Sequence, residues 1–189
     1  MRDKTLVRLH GSISDPHLSI QLMAIKLIIW DFDGVLAPTD ENWAAADYPL
    51  TAGVREIMAL PCIKHCVATN GSMEQTLAKI KLCGLTDIFN EQNVFTIDMA
   101  GSGKSSPDIF ILAMQKMNEK PENTMVIDNS YTAMKGAIKA GCLPVSFLSR
   151  QRYEKSDWPQ RLQNIGVRHI FCDMADIQKL IEKNIYNTD

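Results

Sequence analysis

The chain has 189 residues, 46% hydrophobic and 22% charged, with a formal net charge of -2. That length predicts one domain with a sizeable core, and the composition excludes a disordered chain. Lysine and arginine form no run, which excludes a basic face for nucleic acid.

Residues 1–22 mix charged and polar groups with no continuous apolar stretch. They contain no secretory signal and read as a poorly ordered extension, leaving 23–189 as the core. The longest early apolar run, AIKLIIW, is far below the ~20 residues that span a bilayer, so no membrane segment is expected. From there short apolar runs alternate with amphipathic stretches, the pattern of an α/β fold with a parallel sheet flanked by helices. Strands are expected at IKLIIWD ending at Asp31, IKHCVAT ending at Thr69, TMVIDN ending near Asp128, LPVSFL ending at Leu148 and RHIFCD ending at Asp173. Helices are expected at 52–60, 73–83, 107–118, 131–140 and 173–185, with Gly84 and Gly141 placed to terminate two of them. On the fourth, Ala133, Met134, Ala137, Ile138 and Ala140 form a small apolar face suited to a sheet. The polar stretch SRQRYEKSDWPQRLQNIG reads as an exposed loop and helix.

The five cysteines, Cys62, Cys66, Cys83, Cys142 and Cys172, are odd in number and scattered, which predicts reduced thiols and a cytoplasmic location. PCIKHC carries Cys62, His65 and Cys66 but lacks the second paired cluster that a zinc site needs. His10, His17 and His169 stand alone and read as structural or solvated.

Ligands of open parallel sheets bind beyond the carboxyl ends of the strands. There this sequence collects Asp31 and Asp33, Thr69 and Asn70, and Asp128 and Asn129, with Lys104 in a loop between the second and third expected strands. Carboxylates meeting at one sheet edge repel unless a cation joins them, and an all-oxygen set suits Mg²⁺. A lysine beside them can hold a phosphate, so charge alone points to phosphoryl chemistry. Lys104 does not belong to a nucleotide phosphate loop. Asp98 stands where that loop needs its first glycine, and Pro107 delays the following helix.

In order along the chain, DFDGVLAPTD, VATNGS, GKSSPDIF and VIDNSYTAMKGAIKAGC resemble the four motifs of the haloacid dehalogenase superfamily. The match runs from about Ile25 to Leu148. The resemblance implies a three-layer, Rossmann-like sheet and a Mg²⁺-dependent phosphatase acting through an aspartyl-phosphate. It implies that Asp31 is the nucleophile and that Asp33 is the general acid and then the base. It further implies that the Thr69 hydroxyl and the Asn70 backbone N–H bind phosphoryl oxygens beside Lys104. Mg²⁺ would rest on Asp31, the Asp33 carbonyl, and Asp128 or Asn129.

Two departures qualify the pattern. The fourth motif reads Asp128-Asn129 where relatives often carry two acids. Where relatives with this motif spelling usually insert a helical cap domain, only residues 37–49 intervene, too few for a helical bundle. This predicts an open site for a phosphorylated substrate of bulky or macromolecular kind, or one covered by a second copy in a homo-oligomer. Trp43 and Tyr48 lie in that insert. The alternatives are a phosphomutase, which the short insert disfavours, and a catalytically weak phosphate-binding protein. A dehalogenase is disfavoured by the acid at Asp33.

Overall fold

The computed structural model describes residues 25–38 and 49–186. The expectations for 1–22 fall outside the described residues, as do those for most of the 37–49 insert, including Trp43 and Tyr48.

Six strands, β1 (Leu27–Trp30), β2 (Lys64–Thr69), β3 (Val94–Thr96), β4 (Thr124–Asp128), β5 (Leu143–Phe147) and β6 (His169–Phe171), form one sheet. The order is β3-β2-β1-β4-β5-β6 and every pair is parallel. The helices are α1 (Val54–Met58), α2 (Met73–Leu82), α3 (Ile97–Ala100), α4 (Asp108–Met117), α5 (Tyr131–Lys139), α6 (Arg150–Lys155), α7 (Trp158–Asn164) and α8 (Met174–Tyr186). The predicted α/β class with a parallel sheet is the observed one.

Side chains alternate across a strand, and β1 sits between two helical layers, so all four of its residues are apolar and buried. Ile28 and Trp30 enter a core with Val54 and Ile57 of α1, Ile80 of α2, and Ile177 and Ile181 of α8. Leu27 and Ile29 enter the opposite core with Ile109, Phe110 and Ala113 of α4, Ala133 and Ala137 of α5, and Leu162 of α7. Fully burying a side chain of this size contributes roughly 1.5–3 kcal/mol.

Ser72 and Ser130 cap α2 and α5 through their hydroxyls, which accept from Gln75 N and Ala133 N at 3.3 and 3.2 Å. Gly84 and Gly141 follow their helices with φ of 65° and 78°, the left-handed conformation expected of them. On α5 the buried face differs from expectation: Ile138 is exposed, while Gly136 is buried. The stretch from Ser149 to Gly166 folds into two helices, α6 and α7, where one was expected. β3 and the single turn α3 were not expected.

Tertiary packing decides the lone polar residues. His65 is buried on β2, its Nδ1 accepting the Trp30 Nε1–H at 3.2 Å, and burial pushes its pKa down to about 4. The five thiols are unpaired. Among the described residues no helix is long and apolar enough to cross a membrane.

Candidate active site

The chain runs from β1 outward to β2 and β3, then returns to β4 on the other side of β1. The carboxyl ends of β1 and β4 therefore flank the crevice where such sheets bind ligands. Asp31 directly follows β1, its N–H donating to Ile127 O at 2.9 Å, and Asp128 is the last residue of β4. Parallel pairing of the two strands thus brings residues 97 positions apart to one edge.

Lys104 joins them. Its Nζ lies 2.5 Å from Asp31 Oδ1 and 2.9 Å from Asp128 Oδ2, and all three residues are buried. Asp128 spends its other oxygen on Ser130 N at 2.7 Å, the start of α5. Burial, then the charge of Asp128, pushes the Asp31 carboxyl from 3.8 to about 7, with Lys104 pulling the other way. Burial alone would lower the Lys104 ammonium, but Asp128 and Asp31 outweigh it and raise its pKa above the ordinary lysine value. Lys104 is the fixed charge of the cluster and Asp31 the variable one.

Asp33 sits two residues on, in a turn closed by Gly34 N–H donating to Ala37 O at 2.8 Å. Its carbonyl accepts the Asn129 side-chain N–H at 3.1 Å. Its carboxylate meets Lys79 of α2, whose Nζ lies 2.7 and 2.9 Å from the two oxygens. Thr69 is buried at the end of β2, and its hydroxyl accepts from Gly71 N at 3.1 Å. Asn70 is exposed, and its side chain joins none of these contacts. Asp31, Lys104 and Asp128 are thus brought together directly. Asp33 and Asn129 form a second contact group, and Thr69 and Asn70 stand on the neighbouring strand end.

Three residues escaped the sequence reading. Lys79 shares the inward face of α2 with Thr76 and Ile80, and a lysine at that register was the available signal. Trp158 of α7 donates Nε1–H to Asn129 O at 3.2 Å, while Arg152 and Arg161 stack 4.4 and 4.6 Å from its ring centre. Those guanidinium groups give the rim beside Asn129 a positive charge.

Gly136 is the third. A Cβ there would lie 2.1 Å from Lys104 O, 2.8 Å from Ser106 O and 2.9 Å from Phe110 Cε2. Glycine lets the lysine loop lie directly on α5. Alanine normally favours a helix by about 1 kcal/mol, but two of the three clashing atoms are backbone and cannot rotate away. We expect Gly136→Ala to lower stability by about 1–3 kcal/mol and kcat on the order of 10²-fold by displacing Lys104. Thermal melting and steady-state kinetics test this; an alanine variant with native melting and native kcat contradicts the close packing.

The donors around Asp31 suit a hard cation. Two buried carboxylates share one ammonium, and Asp31 Oδ2 accepts no hydrogen bond from a described residue. Among the described residues no group of three or more His, Cys, Asp and Glu side chains is set to hold a metal ion. A cation here would draw on Asp31, the Asp33 carbonyl oxygen and Asp128 or the Asn129 amide, with water completing its shell. Mg²⁺ accepts that arrangement. A separate groove of about 760 Å³, lined by Lys26, Lys64, Met114 and Asn123, lies at the amino-terminal ends of β1, β2 and β4 and touches none of these groups.

A family model for haloacid dehalogenase-like hydrolases matches residues 42–141. A curated relative, the phosphorylated carbohydrates phosphatase of Thermotoga maritima, is 29% identical over 92 residues, 47% of this chain and 42% of its own length. The matched stretch is thus under half of that relative. Among solved structures, a haloacid dehalogenase-like protein of unknown function from Agrobacterium tumefaciens superposes with a TM-score of 0.70 at 17% identity, covering 84% of this chain and 98% of that one. A haloacid dehalogenase family hydrolase from Deinococcus radiodurans, holding phosphate and sodium, gives 0.69 at 16% identity, covering 85% and 96%. At these identities the structural likeness establishes the fold.

Proposed function

Because the chain belongs to the haloacid dehalogenase-like hydrolase family, we propose that it hydrolyses phosphate monoesters with Asp31 as nucleophile. The observation that carries this is the buried Asp31–Lys104–Asp128 cluster at the carboxyl ends of β1 and β4. A carboxylate buried beside a fixed ammonium and open at one oxygen is built to meet an electrophile that brings negative charge with it.

In the first step an Asp31 oxygen bonds to phosphorus as the ester P–O bond breaks, and Asp33 gives its proton to the leaving alkoxide. In the second, water attacks phosphorus, the acyl-phosphate P–O bond breaks, and Asp33 takes the water's proton. Asp31 and inorganic phosphate are released. Lys104 holds Asp31 in place and balances charge on the transferring group, and the Thr69 hydroxyl and Asn70 N–H bind phosphoryl oxygens. Asp31, the Asp33 carbonyl and Asn129 or Asp128 are the residues that would hold Mg²⁺, which when bound supplies positive charge against the phosphoryl oxygens.

The name of the Thermotoga maritima relative supports a phosphorylated carbohydrate as the substrate class. The brevity of the 37–49 insert supports an open site, which also admits larger phosphate esters or a second copy as cover. Five unpaired thiols support a reducing, cytoplasmic setting.

The test is phosphate release from a panel of sugar phosphates, phosphopeptides and p-nitrophenyl phosphate, with Mg²⁺ or with EDTA, comparing the native chain with Asp31→Asn. Metal-dependent release that vanishes in the variant is expected. No release from any member, alongside measurable phosphate binding, would replace this reading with that of a phosphate-binding protein.

A further inference from the structure

The Lys79–Asp33 contact lies outside the roles assigned so far. Lys79 reaches Asp33 from α2, across 46 residues of sequence, and touches both carboxylate oxygens. The two partners differ in setting: the Lys79 side chain is 10% exposed and the Asp33 side chain 39%. The lysine is anchored on a regular helix capped by Ser72, with its neighbour Ile80 in the core. Its ammonium also lies 5.8 Å from the centre of the Phe32 ring. Asp33 instead stands in a turn, half open to solvent, where an unrestrained carboxyl would sample several rotamers.

Withdrawing a lysine from water costs several kcal/mol unless its partner is well placed. Asp33, a carboxylate two residues from the reacting Asp31, is such a partner, met at both oxygens. We propose that Lys79 is the positioning residue of the proton-transfer step, fixing the orientation from which Asp33 serves the leaving oxygen. The proposal rests on the phosphatase reading and adds a residue to it. Lys79 meets Asp33, while Asp31 and Asp128 share Lys104 instead, so Lys79 acts through Asp33.

A tether that merely joins α2 to the β1 turn would slow every substrate alike. A residue that positions the proton donor has a different signature, because the need for a proton grows as the leaving group becomes a poorer one. The experiment measures kcat/KM, which reports phosphoryl transfer to Asp31, for aryl phosphates graded from p-nitrophenyl to phenyl phosphate. It compares the native chain, Lys79→Met, Lys79→Arg and Asp31→Asn, with melting curves for each.

For Lys79→Met we expect a loss on the order of 10–100-fold with phenyl phosphate and under about 3-fold with p-nitrophenyl phosphate, the scale of a misplaced catalytic group. Its plot of log kcat/KM against leaving-group pKa should be steeper than the native one. Lys79→Arg, which can reach the carboxylate with two donors, should restore most of the native slope. An equal loss on all substrates, or a native slope in Lys79→Met, overturns the assignment while Asp31→Asn remains dead and the phosphatase reading stands. Should Lys79→Met fail to fold, a native slope in a folded Lys79→Gln variant overturns it equally. Hydrolysis that survives intact in Asp31→Asn overturns the phosphatase reading and this one with it.

Discussion

Lys104→Met should lower the unfolding free energy in EDTA by about 3–5 kcal/mol, the usual cost of removing one partner from a buried ion pair. Methionine fills nearly the same volume, so the loss is electrostatic. Asp31 and Asp128 would be left facing one another with no cation, each almost excluded from water. The folded protein can answer only by taking up a proton or by admitting a cation. The second route gives the experiment its sharper edge: Mg²⁺ added to the variant should return part of the lost stability, since a ligand that binds only the folded state stabilises it. Turnover should stay depressed by on the order of 10²–10³-fold even with the metal, because a fixed charge aimed at the transferring group is absent. Urea unfolding with and without Mg²⁺, beside steady-state rates, reads both effects. Unfolding that matches the native chain in EDTA would mean that the two carboxylates do not depend on Lys104.

The central strands were legible because burial on both faces demands unbroken apolar sequence. LIIW of β1 and MVI of β4 are such runs, and the acids that end them mark the sheet edge. β3 was not legible. Its three residues, Val94–Thr96, are too short for periodicity to register, and only pairing with Val67–Thr69 makes them a strand. Its turn α3 then carries the chain to the lysine loop, so the omission blurred how Lys104 reaches the crevice. Of α6 and α7 only one helix was expected, for the opposite reason: of their residues only Leu162 is buried, and a helix with so thin an apolar stripe resembles a loop.

The same division holds within the candidate site. Asp31 and Asp128 stood out as charges at strand ends, and their meeting follows from strand order, whereas Lys104 stood out as a charge in the loop between two strands. Lys79 and Gly136 act across the space between elements. A lysine inside a helix reads as solvated until the fold turns it inward, and a helical glycine reads as a weakness until a backbone oxygen is found where its Cβ would be. The Asp128-Asn129 pair shows a finer limit. Its composition left either residue as a metal ligand, whereas the contacts commit both Asp128 oxygens to Lys104 and Ser130 and leave the Asn129 amide on the Asp33 carbonyl.

Asp31→Asn should separate activity from stability. As the proposed nucleophile, Asp31 cannot be replaced by an amide, and turnover should fall on the order of 10⁴-fold or more. Stability should move the other way as pH rises. In the folded protein the Asp31 carboxyl is pushed from 3.8 to about 7, by burial first and by Asp128 second. The native state thus holds this proton more tightly than the unfolded chain does. The stability this adds is fully present below about pH 4 and is lost as pH rises through 7. Without metal, the native chain should lose a few kcal/mol from this group over that window. An amide does not ionise, so the variant should lack this component, and the difference between the two stability curves isolates it from every other titrating group. At pH 7 in EDTA the inactive variant should be at least as stable as the native chain, even though it gives up a charged contact to Lys104, because Lys104 keeps Asp128. Urea midpoints at pH 4, 5.5 and 7 measure this directly. Parallel curves for the two proteins would show that Asp31 is already ionised throughout, with Lys104 outweighing burial, and the cluster would then be a preformed nucleophile that needs no second cation to hold its charge.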